Sequence, residues 1–187
     1  MTTTAVFAEI IVIGLQAEAW IAVLVLTIFG AEWVDLEAVA PWSALITVLA
    51  LAASYVLGIL VDRLADSTLK GIAKRIKARG SAEQVKPPVG FKRKRFTVLM
   101  QGTEGVIKFL EYQRSRQRVA RGTIVNLAFA IPAVLAFMHW RADASPSWLV
   151  GVAAVGLVLL AASVYANERI LEAYERNLDM AYDLIRK

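Results

Sequence analysis

Residues 144–187 read ASPSWLVGVAAVGLVLLAASVYANERILEAYERNLDMAYDLIRK. No charge occurs between Asp143 and Glu168. That run exceeds the roughly 20 apolar residues a helix needs to cross a bilayer. After Asn167 the pattern changes without a helix breaker. Leu171, Tyr174, Leu178, Ala181 and Ile185 step by three and four, a heptad seam, while Glu168, Glu172, Glu175, Asp179 and Asp183 occupy the other face. One helix therefore crosses a membrane and continues into water as an amphipathic rod. This reading sets the fold class: all-α, a polytopic membrane protein with helical extensions beyond the bilayer.

Three further stretches extend the pattern. Residues 38–61 carry no charge between Glu37 and Asp62, and residues 122–140 carry none between Arg121 and Arg141. Residues 7–30 form the remaining span, although they contain Glu9 and Glu18. The uncharged run after Glu18 has 13 residues, too few to cross alone, so this helix holds an acid within the bilayer. Composition agrees. Of 187 residues 58% are hydrophobic and 20% charged, outside the soluble range of about 45–50% and 25%.

Several chemistries are excluded. There is no Cys, so disulfides, thiolate metal sites and cysteine nucleophiles are absent. The single histidine, His139, cannot build a multi-histidine site. No phosphate-binding loop or nucleophile elbow occurs. The reading expects no enzyme, no cofactor and no metal. The N-terminus lacks a basic region and a small-residue cleavage site, so the first apolar stretch reads as retained.

Charge orients the spans. Residues 62–121 hold 16 Lys/Arg and 5 Asp/Glu, a net of +11, whereas 31–40 hold three acids and no base. The basic segment is expected in the cytoplasm. The protein then lies in the cell inner membrane, multi-pass, with both termini cytoplasmic. Trp33, Trp42, Trp140 and Trp148 all fall at the opposite ends, as an interfacial belt. The expected organisation is 1–61 for spans one and two, 62–121 for a basic cytoplasmic helical hairpin, 122–166 for spans three and four, and 167–187 for a cytoplasmic amphipathic helix. Short connections favour a four-helix bundle.

The cytoplasmic pieces are 61–80, 97–121 and 167–187, expected to pack as a small upright bundle. Between the first two, 80–96 reads as an irregular linker, broken by Pro87, Pro88 and Gly90. It ends in Lys92, Arg93, Lys94 and Arg95, candidates for anionic lipid or for a cytoplasmic protein partner. Nucleic acid is not an expected partner, because the run is short and no aromatic-interleaved patch supports it. Arg114, Arg116, Arg118 and Arg121 are expected at lipid headgroups. Asp62, Arg63 and Asp66 read as a local i,i+3 ion pair.

Within the spans Glu18 is the anomaly. An acid near mid-bilayer costs about 2.5–3.5 kcal/mol on insertion scales and faces a bundle interior or a watery cavity. Glu9 and Gln16 form a second polar stripe, so Glu18, Gln16 and Glu9 are the candidates for a pore or an ion or proton site. Asn126, Ser54 and Tyr55 are read as polar helix-packing residues, and Ser54-x3-Gly58 as a packing face. The resulting expectation is a homo-oligomeric pore or membrane effector and sensor with a cytoplasmic regulatory bundle. The alternative is a non-catalytic accessory or scaffold subunit that docks a partner through its basic loop.

Overall fold

A computed structural model describes residues 3–32, 35–80 and 91–186, with side chains described for 6–32, 35, 37–69 and 94–185. Trp33, Pro87 and Pro88 lie outside the described residues. The described chain is all helical: α1 Thr3–Phe29, α2 Leu36–Val39, a 3-10 turn Ala40–Trp42, α3 Ser43–Gly80, α4 Phe91–Gln101, α5 Glu104–Trp140 and α6 Pro146–Arg186. The helices α1, α3, α5 and α6 are long and apolar enough to cross a membrane. At 41 residues, α6 rises about 60 Å, twice the hydrocarbon thickness of a bilayer. No residue in 147–186 breaks it, so the apolar run and the heptad seam form one rod.

Small residues set the closest crossing. A Cβ on Gly14 would lie 1.6 Å from the Ser54 carbonyl oxygen, and one on Gly58 would lie 2.0 Å from the Ile10 carbonyl oxygen. The α1 and α3 backbones therefore touch, antiparallel, at Gly14 against Ser54 and Ile10 against Gly58. Around this crossing Ile13, Ala17, Val61, Ala65 and Val125 form a buried core, with Trp20, Leu57 and Leu69 packed against it. The Ser54-x3-Gly58 pair lies in this contact, one turn apart on α3.

A second core lies at the charged ends of the helices. It joins Val98 of α4, Leu110 of α5 and Tyr174, Leu178 and Ala181 of α6, with Val106, Tyr182 and Ile185 at its edge. Three of the five seam positions read from the sequence are thus buried together. Leu171 remains exposed. Lys92–Arg95 do not lie in an irregular linker: α4 begins at Phe91, directly after Gly90, so the basic run occupies its first turns. The breakers end at Gly90, and Phe91–Gln101 contain none. Val98, fully buried, anchors the short helix in the groove between α5 and α6.

The long helices do not surround a common axis. α1, α3 and α5 pack on one another, while α6 runs along α5 and meets α4 at its far end. The first half of α3 stands apart, with residues 41–49 all exposed. Below Ala50 it closes onto α1; above that point it splays away. The ends are firmly tied. Gly30, at φ 79°, terminates α1 with its N–H on the Leu26 carbonyl at 3.0 Å. Arg141 donates from Nε to the Thr27 carbonyl and from Nη2 to the Ile28 carbonyl, both at 2.9 Å. A guanidinium there neutralises the negative end of the α1 dipole.

Candidate functional site

α1 and α5 run parallel, and the polar residues of α1 meet α5 at two levels. At the charged end Glu9 accepts a hydrogen bond from Ser115 Oγ and pairs with Arg118 Nη1 at 3.1 Å. Arg118 Nε also lies 3.8 Å from Asp62 Oδ1, and Arg121 Nη1 lies 2.5 Å from Asp66 Oδ1. Three carboxylates from α1 and α3 thus enclose two guanidiniums from α5. Glu9 is the most buried, its side chain 12% exposed. Such a network of half-buried pairs locks helix register more firmly than isolated surface pairs of about 0–1 kcal/mol. This corrects the headgroup expectation for Arg118 and Arg121, which bind acids of neighbouring helices. It also gives Asp62 and Asp66 partners across helices. The opposed charges were visible in the sequence, but their meeting depends on α1 and α5 being parallel neighbours.

Two turns further on, Asn126 is 3% exposed. Its Nδ2 donates to the Ile13 carbonyl at 2.9 Å and to Gln16 Oε1 at 3.2 Å. Its Oδ1 accepts from Trp20 Nε1 at 3.2 Å, and Gln16 Oε1 also accepts from Thr123 Oγ1 at 3.2 Å. Trp20 stacks on Phe129 with ring centroids 5.1 Å apart. Gln16 is therefore engaged between α1 and α5. Tyr55 packs its ring against Phe7, and Ser54 is fully buried where its backbone meets Gly14.

Like Ser54, Glu18 has a buried oxygen that lacks a hydrogen-bond partner, but Glu18 is an acid. It sits one turn beyond Gly14 on the same face of α1. Gly14 touches α3, but one turn outward α3 has begun to splay. Glu18 therefore lies at the root of the wedge between α1 and the first half of α3. Its Oε1 is buried and has no hydrogen-bond partner. An unpaired buried acid oxygen is costly, and a polar partner from elsewhere would relieve that cost.

The basic run is partly consumed inside the molecule. Lys94 Nζ bonds Asp179 Oδ1 at 2.8 Å and lies 5.7 Å from the centre of the Tyr182 ring. The bond to Asp179 raises the Lys94 pKa above its ordinary 10.5. Burial, with Arg95 nearby, lowers the pKa of the Arg114 guanidinium. The side chains of Lys92 and Arg93 lie outside the described residues. Among the described residues no group of three His, Asp or Glu is placed to hold a metal. No protein-family model, curated protein or solved structure matches the chain.

Proposed function

We propose that the chain is a multi-pass protein of the cell inner membrane, with both termini cytoplasmic, that works as a homo-oligomer with an ion or proton pathway between subunits. The observation that carries this reading is Glu18, an acid about 3 Å from the midpoint of its apolar run, at the root of a wedge with an unpartnered oxygen. A single subunit encloses no pathway, because Glu9 and Gln16 are bonded to α5. Those two residues hold α1 in place so that Glu18 faces the wedge. The splayed half of α3 supplies a surface for a second copy. The core formed by α4, α5 and α6 would act as the cytoplasmic regulatory element, joined to the bilayer by the unbroken α6.

Reconstitution into planar bilayers tests this. The purified oligomer is expected to conduct, and Glu18→Gln is expected to change ion selectivity or pH dependence. Glu9→Gln is expected to lower protein stability instead. An oligomer without conductance, or conductance blind to Glu18→Gln, would remove the reading.

A second reading, an accessory subunit that docks an acidic cytoplasmic partner, draws support from Arg95 and Arg114. Their like charges oppose each other. In that case Arg95→Gln would abolish partner co-purification and leave bilayer current irrelevant.

A further inference from the structure

α1 and α3 use only half of a matched face. Gly14 meets Ser54, and Ile10 meets Gly58, across their antiparallel crossing. The same register, carried outward, sets Glu18 opposite Ala50 and Ile21 opposite Thr47. Steps of three and four put Ser43, Thr47, Ala50, Ser54 and Gly58 on one side of α3. All five are small. The bulky Leu45, Val48 and Leu49 occupy the other side. Ser54 and Gly58 spend this side on α1, whereas Ser43 and Thr47 are exposed because the two helices diverge beyond Gly14.

The composition of the exposed half selects a helix as its occupant. Acyl chains need no small residues beneath them, but small residues on a spanning helix let a second backbone come close. Thr47 Oγ1 donates to the Ser43 carbonyl at 2.8 Å, so its hydroxyl lies along the helix and the surface stays low. Among the described residues no helix of the same chain covers the place, since 41–49 are all exposed. Two oxygens at the inner end of the stripe also lack partners. Ser54 is fully buried with its Oγ unbonded, and Glu18 Oε1 is buried and unbonded. A Cα–Cβ bond tilts toward the N-terminus of its helix. Ser54 therefore leans outward, into the wedge, and Glu18 leans inward to meet the same space.

The stripe is uncharged and small throughout, so it is complementary to itself. Two copies inserted with one orientation are related by a two-fold axis along the membrane normal. That axis makes their α3 helices parallel and brings each small residue against its own counterpart. We infer that the Ser43–Thr47–Ala50 face of α3 is the contact between two copies of this chain, paired parallel, with Glu18 enclosed between them. Ile46 borders this face. The inference rests on the homo-oligomer proposed above and gives it a face and a symmetry.

The chain has no cysteine, so single-cysteine variants can be compared in the membranes that express them, under copper-phenanthroline oxidation. Ser43→Cys and Thr47→Cys are expected to give a disulfide dimer as the main band on non-reducing gels. Leu45→Cys and Val48→Cys, at the same depth on the opposite side, are expected to stay monomeric. Equal cross-linking at all four positions, or more at Leu45 and Val48, overturns the face. No cross-link at any of them overturns it in favour of lipid. A cross-link to a protein of different mass overturns it in favour of a foreign partner. A second measurement needs no disulfide. Thr47→Leu adds bulk to a side chain exposed in the single subunit and is expected to fold as the wild type does. It should raise the dissociation constant of fluorescently labelled copies in liposomes about tenfold, or about 1.4 kcal/mol, a typical overpacking cost. Unchanged energy transfer overturns the contact. Current in planar bilayers separates this inference from the pathway. Cross-linking at Ser43 and Thr47 without current keeps the contact and removes the pathway. Current without that cross-linking keeps the pathway and removes the contact.

Discussion

Gly14 and Gly58 show how much a single hydrogen atom can decide. Each stands where a methyl group would meet a backbone carbonyl of the facing helix, a contact that only displacement of α1 from α3 can relieve. Gly14→Ala is expected to destabilise the folded protein by about 1–3 kcal/mol, the ordinary cost of overpacking. Gly105→Ala is the matched control, since a Cβ there meets nothing within 4 Å. It should be neutral or stabilising by about 0.5–1 kcal/mol through helix propensity. Unfolding titrations in mixed detergent would measure both. The polar residues were less legible. Glu9, Gln16 and Glu18 look alike as acids or amides in an apolar run. Their fates differ because Glu9 and Gln16 face α5, which supplies Arg118, Ser115, Thr123 and Asn126, while Glu18 faces a helix that turns away. Sequence spacing gives the angle on α1 but not the neighbour at that angle.

Among the elements, α6 was the most readable and α4 the least. The heptad seam of α6 needed no partner to be recognised, and Tyr174, Leu178 and Ala181 are buried as a group. α4 is only 11 residues long, begins with four cations and follows a proline-rich stretch, so its own propensity signals little. Docking, through Val98 and through Lys94 on Asp179, gives it a place. The Lys94 contact has a definite pH signature. Because the folded-state pKa lies above 10.5, the contact contributes fully below that value and is lost as pH rises through the raised one. The chain has no native cysteine, so spin labels at Leu99→Cys and Leu184→Cys report only the α4–α6 distance. That distance should stay narrow from neutral pH up to 10.5 and broaden only as pH rises through the raised Lys94 pKa. With Lys94→Gln it should be slightly broader at neutral pH and no longer change through that pH range, because Val98 still holds α4.

At the scale of the whole molecule, the four apolar runs were plain from length and charge alone, and all four are helices of adequate length. Their arrangement was not. Four short-looped helices suggest a closed bundle, but which pairs touch depends on a few small residues and on Arg141. That arginine sits in the connection after α5, yet it caps α1. The result is a three-helix unit with α6 on its flank and the first half of α3 free. Leu45, Ile46, Val48 and Leu49 are all exposed. If copies assemble there, Ile46→Cys should cross-link between subunits under oxidation, whereas Val150→Cys on α6 should not. Non-reducing gel electrophoresis reads the outcome, and a monomer at Ile46→Cys would place lipid on that face.

The ring of charges around Arg118 and Arg121 also has a consequence for synthesis. Glu9, Asp62 and Asp66 emerge from the ribosome well before the two arginines that answer them. At about 5–20 residues per second, the 52 residues from Asp66 to Arg118 take roughly 3–10 s. During that interval the α1–α3 hairpin holds its small-residue contact but carries three uncompensated acids at one end. The N-terminal half is therefore an unfinished object until α5 arrives, and α5 is the piece on which a nascent chain, or a truncated one, depends for its survival.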